Sequence, residues 1–347
     1  MWLLNTSTYS LEFVANPKDY AILSHTWEHE EVTFEDIKNL ELAKTKAGWD
    51  KIEQTCRLAV DWNLQYAWVD TCCIDKSSSA ELSEAINSMF QWYKQSTVCF
   101  VYLSDLESSP HDPISPEAEK HLGENLPGCR WFTRGWTLQE LIAPYHVDFY
   151  DRNWTRIGTK TSAVMQTFLS KITKIDAGVL ANPDVLPTMA VGRRMSWAAK
   201  RKTTRIEDIA YSLLGIFDVN MPMLYGEGTK AFIRLQEAIA EATGDLSLFA
   251  WSDHQSEHQH YQVFQGILAR SPSQFSGCHR LENTENPFEA MSRSFTMVNR
   301  NIEFQTYLKT EAENGDYLMN LHCRDNDRPK EDTLVIRLLK TTAGYIR

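Results

Sequence analysis

Short apolar runs alternate with segments of helical periodicity over the first half of the chain. Four of the runs have the length of a buried strand, namely Tyr20–Ser24, Tyr66–Asp70, Val98–Leu103 and Val147–Tyr150. The third run is the most continuous, which is typical of a strand near the centre of a sheet. Each run therefore predicts one strand of a common sheet.

Segments with apolar residues three or four positions apart separate these runs and predict helices. One helix is expected over Lys51–Trp62, and a second begins after a capping box formed by Ser78 and Glu81. A third, short helix is expected over 137–143, where Pro144 stops it. Strands that alternate with helices favour a parallel sheet with both faces covered, so the pattern predicts an α/β fold.

The pattern changes twice further along the chain. After the fourth run it is mostly helical, with a capping box at Thr204 and Glu207, a helix end at Gly215 and a further helix over Thr229–Ala242. Short alternating runs then predict strands at Phe295–Val298, Tyr317–Leu321 and Leu334–Leu339. We divide the chain into an α/β core over 1–150, a helical extension over 151–250 and a small β-rich C-terminal region over 251–347.

Composition and charge narrow the class of protein. With 43% hydrophobic and 23% charged residues the chain is an ordered globular protein, and its net charge of −11 argues against a nucleic-acid binder. The longest apolar run has about six residues, far short of a membrane span, and the first residues lack the features of a secretory signal. The seven cysteines show no paired metal-type spacing, so we expect reduced thiols, no metal and a cytoplasmic location.

Polar and aromatic side chains follow three of the predicted strands. In an open parallel sheet, ligands bind beyond the carboxyl ends of the strands, so these loops form one candidate site. The loops contain Ser24, His25, Thr26 and Trp27 after the first strand, Asp70 to Lys76 after the second, and Ser104 with the segment Arg130–Leu141 after the third.

The residues of these loops leave several hypotheses open. A His-activated thiolate at Cys72 or Cys73, with His25 and Asp70 nearby, would make a cysteine hydrolase, although vicinal cysteines more often pack in a core. Glu140 could act in chemistry or could only cap a short helix, because Thr137 and Glu140 have capping-box spacing. The basic run 193–205 could form a solvated helix face, pair with internal acids or bind a phosphate.

Several long, Trp-rich strings resemble the heterokaryon-incompatibility (HET) domain of filamentous fungi over about residues 1–250. They are YAILSHTW (20–27), WVDTCCIDK (68–76), RWFTRGWTLQELIAP (130–144), RMSWAA (194–199), TTRIEDIAYSLLGIFD (203–218) and LYGEG (224–228). The family is associated with non-self recognition and programmed cell death. The resemblance therefore implies a cytoplasmic cell-death protein that self-associates and responds to an incompatibility partner protein.

A more distant resemblance, over about 130 residues, is to Toll/interleukin-1 receptor (TIR) domains. In NAD-cleaving TIR domains the catalytic glutamate lies four residues after a tryptophan, and Trp136 and Glu140 reproduce that spacing. The resemblance implies a TIR-like, flavodoxin-like parallel sheet flanked by helices. It also implies that NAD⁺ is a substrate rather than a cofactor, that Glu140 is catalytic, and that a set of loop residues binds the substrate. That set is Ser24, His25, Thr26, Trp27, Asp70, Ser104 and Trp136.

The chemistry is consistent with these residue types. Cleavage of the nicotinamide–ribose bond passes through an oxocarbenium-like transition state, which a carboxylate stabilises. The two resemblances together imply an NAD⁺ glycohydrolase that acts in heterokaryon incompatibility. The rival hypothesis is a non-catalytic assembly module, in which the same loops form a protein interface.

Overall fold

The structure is a computed structural model, and it describes the chain in segments. The described residues are 1–111, 115–253, 266–284, 295–298, 301–311, 316–327, 329, 332–342 and 344–347. They form two compact units, Met1–Asp184 and Val185–Arg347. The three-part division at residues 150 and 250 stays a prediction beside this partition.

A seven-stranded sheet is the centre of the first unit. Its strands are β1 (Trp2–Asn5), β2 (Leu11–Phe13), β3 (Tyr20–His25), β4 (Tyr66–Trp68), β5 (Val98–Tyr102), β6 (Val147–Tyr150) and β7 (Arg156–Thr159). They lie in the order β2-β1-β4-β3-β5-β6-β7. The four strands predicted from apolar runs, β3 to β6, are all present, and they pair in parallel.

The prediction of a purely parallel sheet is wrong, because β1, β2 and β7 pair antiparallel at its two sides. β2 has only three residues, and β7 has the sequence Arg-Ile-Gly-Thr, so neither carries a continuous apolar run. The four parallel strands alone lie in the order second, first, third, fourth, which is the order of a flavodoxin-like sheet. The fold is therefore α/β with a mixed sheet.

Seven α-helices of the first unit surround this sheet in the described part of the chain. They are α1 (Leu40–Ala43), α2 (Trp49–Asp61), α3 (Ser79–Gln95), α4 (Pro116–Asn125), α5 (Thr137–Ile142), α6 (Ala163–Thr173) and α7 (Ala177–Ala181). The three predicted helices correspond to α2, α3 and α5. The hydroxyl of Ser78 accepts the N–H of Glu81 at 3.3 Å, so the N-cap half of the predicted capping box is confirmed. The carboxylate of Glu81 accepts the N–H of Asp75, not that of Ser78, at 2.9 Å.

The second unit contains four short or medium helices and small antiparallel sheets among its described residues. The helices are α8 (Val191–Ser196), α9 (Asp208–Tyr211), α10 (Leu214–Phe217) and α11 (Lys230–Ala242). The strands are β8 (Leu281–Asn283), β9 (Thr296–Val298), β10 (Asn301–Glu303), β11 (Leu308–Thr310), β12 (Tyr317–Asn320), β13 (Cys323–Asp325), β14 (Val335–Thr341) and β15 (Gly344–Ile346). The helix predicted at 229–242 and the three predicted strands of this region are confirmed.

Two details of the second unit differ from prediction. Gly215 lies inside α10, and the left-handed residue after that helix is Asp218, with φ of 55°. The predicted capping box is wrong, because α9 begins at Asp208 and not directly after Thr204. The carboxylate of Glu207 accepts the N–H groups of Gly226 and Gly228 at 2.8 and 3.0 Å, and so it orders the following loop.

Gly192 in α8 allows a close backbone approach, which gives a test of the packing. A Cβ built on Gly192 would lie 2.7 Å from the carbonyl oxygen of Ser247. We expect Gly192→Ala to lower the free energy of unfolding by about 1–3 kcal/mol in urea denaturation, because the backbone must shift. The control is Gly178→Ala in α7, where nothing lies within 4 Å of the added atom. Equal unfolding midpoints for the two variants would contradict this packing.

Candidate functional site

The three predicted loops meet at one edge of the sheet. Ser24 and His25 are the last residues of β3, Asp70 follows β4, and Ser104 follows β5. Because these strands are parallel neighbours, their carboxyl ends lie side by side. The strand order changes direction between β3 and β5, and ligands of open α/β sheets bind at such a point.

A buried hydrogen-bond chain connects β3 to α5 at this edge. The hydroxyl of Ser24 donates to Oε2 of Glu140 at 2.5 Å, and Nε1 of Trp131 donates to the same hydroxyl at 2.8 Å. All three side chains are buried. The nearby Tyr93 has its pKa raised well above its usual value, first by burial and then by the charge of the Glu140 carboxylate. The site thus contains a carboxylate with ordered partners.

The alternative role of Glu140 as part of a capping box is wrong. α5 begins at Thr137, so Thr137 is not the N-cap residue that a capping box requires, and its hydroxyl donates to the carbonyl oxygens of Trp131 and Arg134. Trp136 occupies the position before α5 with helical backbone angles and no side-chain cap. It is half-buried and takes no part in the Ser24–Glu140 chain of hydrogen bonds.

A buried lysine fixes the other end of α5. Nζ of Lys160 donates to the carbonyl oxygens of Leu141 at 3.2 Å, Ile142 at 3.5 Å and Pro144, which are the unpaired acceptors at a helix C-terminus. Burial lowers the pKa of Lys160 to about 8. Sequence reasoning missed this residue because a single lysine after a short strand carries no pattern.

The depressed pKa of Lys160 predicts a pH dependence of stability. Between pH 8 and 10.5 the unfolded chain binds the proton that the folded chain has lost, so the contribution of Lys160 to stability rises with pH. We expect wild type to gain stability relative to Lys160→Met across this range, measured as urea midpoints below and above it. The control is Lys120→Met at an exposed position, whose urea midpoint should change with pH as that of wild type does. If the urea midpoints of Lys160→Met and wild type changed equally with pH, the lowered pKa of Lys160 would be contradicted.

A second group of residues, which we call the Asp70 cluster, lies at the ends of β3 and β4. Asp70 Oδ1 lies 3.0 Å from Nε2 of His25, and Oδ2 accepts the indole N–H of Trp27 at 2.7 Å. The ammonium of Lys76 lies 3.8 Å from the centre of the Trp27 ring. Burial opposes ionisation of Asp70, but the contacts with His25, Lys76 and Trp27 outweigh it and lower its pKa. Asp70 is therefore an anion at neutral pH.

One ring nitrogen of His25 is buried without a partner in the described part of the chain. Its side chain is buried, and among the described residues Nδ1 has no hydrogen-bond partner. When Nε2 donates to the Asp70 carboxylate, a neutral imidazole leaves Nδ1 as an acceptor. Ser24 and His25 are adjacent in β3, so their side chains point to opposite faces of the sheet. Glu140 and Asp70 thus flank the end of one strand from its two sides.

The predicted residues Ser104 and Thr26 contact a group of charged side chains, which we call the charged rim. It consists of Glu28, Glu31, Lys51 and Arg130. The hydroxyl of Ser104 and the guanidinium of Arg130 both donate to Oε1 of Glu28, at 2.8 and 2.9 Å. Nζ of the buried Lys51 lies 2.5 Å from Glu31 and 3.2 Å from Glu28, and it also donates to the carbonyl of the buried Thr26. The cations of this rim are therefore neutralised by neighbouring carboxylates. Glu28 and Lys51 were not predicted as site residues.

The structure opposes a cysteine hydrolase. Cys72 and Cys73 are buried, burial raises the pKa of Cys72 well above its usual value, and both thiols bond to the backbone of Val69 and not to His25. The described residues also contain no cluster of three or more His, Cys, Asp or Glu side chains that could hold a metal ion. The same part of the chain has no helix that is both long and apolar enough to cross a membrane.

Thiol labelling tests the state of the cysteines. All seven are free and buried, so we expect iodoacetamide to label none of them in the native protein while the urea-unfolded chain reacts completely. Mass spectrometry of the digested protein would identify each labelled position. Fast labelling of Cys72 or Cys73 in the native protein would restore the cysteine hypothesis.

Comparisons with known proteins place this chain beside incompatibility proteins. A family model described as heterokaryon incompatibility protein (HET) matches residues 20–115, and a domain of unknown function (DUF8212) matches residues 230–310. The vegetative incompatibility protein HET-E-1 of Podospora anserina is 42% identical over 269 residues, which are 77% of this chain and 19% of that protein. The match thus spans about a fifth of that relative's length. No solved structure matches.

Proposed function

We propose that this chain, which is a fungal heterokaryon-incompatibility (HET) domain protein, acts in vegetative incompatibility by hydrolysing NAD⁺. Incompatibility is the process in the name of its Podospora relative. The loss of NAD⁺, or a nucleotide product, would then trigger cell death. An incompatibility partner protein would control this activity, and self-association would support it.

The position of Glu140 supports this enzymatic proposal most directly. NAD-cleaving TIR domains, which the chain resembles, carry their glutamate on the segment after the third parallel strand. Glu140 lies on α5, after β5, and it meets Ser24 at the end of β3. Strand order and carboxylate position therefore agree with the TIR-like proposal.

Hydrolysis of NAD⁺ at such a site requires cleavage of one bond and addition of water. The bond between the ribose C1′ and the pyridinium nitrogen breaks, and its electron pair leaves with neutral nicotinamide. Water then adds to C1′ and releases a proton, which gives ADP-ribose. Positive charge develops on the ribose in the transition state, and the fixed Glu140 carboxylate would stabilise it more than it stabilises the ground state.

The Asp70 cluster supplies groups suited to the rest of the substrate. Trp27 is 51% exposed and can stack on a heterocyclic ring. Nδ1 of His25 is buried without a partner among the residues that the structure describes, so it can accept a hydrogen bond from a ribose hydroxyl only after a local opening. Glu140 itself is only 7% exposed. Access to it therefore requires a local opening, which self-association would favour.

Glu140→Gln tests the proposal. The amide keeps the shape of the side chain and can still accept the Ser24 hydrogen bond, so the fold should survive while charge stabilisation is lost. We expect NAD⁺ turnover to fall by about 100-fold or more. The measurement is nicotinamide release by purified protein over a concentration series, and a rate per molecule that rises with concentration would show the requirement for assembly.

The matched control is Glu119→Gln, which removes an exposed carboxylate on α4 and should retain full turnover. Equal thermal unfolding of both variants would exclude a folding defect. Undiminished turnover by Glu140→Gln would assign the chemistry to another carboxylate, with Asp70 the next to test. No turnover by wild type at any concentration would favour the non-catalytic assembly module.

A further inference from the structure

A cation already occupies the aromatic surface that the proposed substrate would use. The ammonium of Lys76 lies 3.8 Å from the centre of the Trp27 ring, within the range of a cation–π interaction. The indole N–H on the same ring donates to Asp70. The hydrogen bond fixes the ring beside a carboxylate, so its face lies in a region of negative potential.

Lys76 differs from the other cations near this edge. Lys51 and Arg130 each lie within 4 Å of two carboxylates. No carboxylate oxygen in the described chain lies that close to Nζ of Lys76. The Lys76 side chain stays exposed to solvent, so its ammonium is held over the indole ring by the cation–π contact and not by an ion pair.

We infer that the Trp27 face and Asp70 form a recognition site for an aromatic cation, and that Lys76 is its intramolecular occupant. The pyridinium ring of NAD⁺ is such a cation, and in naming it the inference rests on the proposed function. A pyridinium spreads its charge over a flat ring, so it loses less hydration than an ammonium when it stacks on indole. Its entry would return the Lys76 ammonium to water.

The consequence is a competition within the site. While the Lys76 ammonium covers Trp27, a cationic ring must displace it before binding. The apparent affinity is the intrinsic affinity multiplied by the fraction of molecules in which Lys76 leaves the ring uncovered. A neutral ring gains less from the Asp70 charge. The site should therefore prefer the oxidised, cationic pyridine ring to a neutral one of the same shape.

Lys76→Met removes the competing charge and keeps an unbranched side chain that packs well on indole. The probe is N-methylnicotinamide methylated at the ring nitrogen (1-methylnicotinamide), which is a pyridinium cation, with neutral nicotinamide as the comparison. Binding is followed as saturable quenching of tryptophan fluorescence, and Trp27→Phe identifies the signal of that residue. We expect the Kd of N-methylnicotinamide to fall roughly 2- to 30-fold in Lys76→Met, the range that a cation–π contact corresponds to, with a smaller change for nicotinamide.

Two further variants complete the test. Lys76→Arg keeps a cation over the ring and should bind the probe as wild type does. Lys38→Met removes a cation over Phe34, a contact of the same kind at 4.5 Å, and should leave the Kd unchanged. An unchanged or higher Kd for N-methylnicotinamide in Lys76→Met would overturn the inference. If Lys76→Met binds NAD⁺ more weakly but binds N-methylnicotinamide as before, Lys76 would instead contact the phosphates of NAD⁺.

These readouts separate the inference from the proposed function. Tighter pyridinium binding by Lys76→Met, in a protein that shows no NAD⁺ turnover, would support the cation site and reject the glycohydrolase. Turnover that depends on Glu140, with no effect of Lys76→Met on pyridinium binding, would support the enzyme and reject the cation site.

Discussion

The hydrogen bond between Ser24 and Glu140 is the interaction on which the candidate site depends. A buried carboxylate without partners is costly, so its position is set by the donors around it. Ser24 supplies one donor from the end of β3, and Trp131 fixes the orientation of that hydroxyl by donating to it. The sheet order places β3 beside β5, and the carboxylate of Glu140 on α5 reaches the end of β3, where ligands bind in such sheets.

The short helix α5 holds this carboxylate only because both of its ends are anchored. Thr137 ties the first turn to the preceding segment, and Lys160 satisfies the carbonyl groups at the last turn. Six residues are too few for an isolated helix to be stable in water, so tertiary contacts must supply the stability. The buried Lys160 cation also complements the negative end of the helix dipole.

Sequence patterns predicted the parts of this fold that depend on local periodicity. The apolar runs gave β3 to β6, and the topology rule placed Ser24, Asp70 and Ser104 at one edge. The antiparallel strands β1, β2 and β7 were missed because none of them contains four consecutive apolar residues. The pairing of Ser24 with Glu140, 116 positions apart, has no local signal. The two wrongly predicted capping boxes, Thr137 with Glu140 and Thr204 with Glu207, show the same limit. Each pair has the expected spacing, but Thr137 donates to the carbonyl oxygen of Trp131 and Glu207 accepts the N–H of Gly226.

The site divides its charges between the two faces of one strand. Glu140 lies buried on one side of the end of β3, whereas the Asp70 carboxylate lies on the other side and holds an exposed indole. In the proposed reaction, the cationic ring would lie toward Trp27 and the ribose toward Glu140. In NAD⁺ those two parts are joined by the bond that breaks. The separation of an accessible aromatic face from a protected carboxylate therefore suits a substrate whose positive charge moves from its ring to its ribose during the reaction.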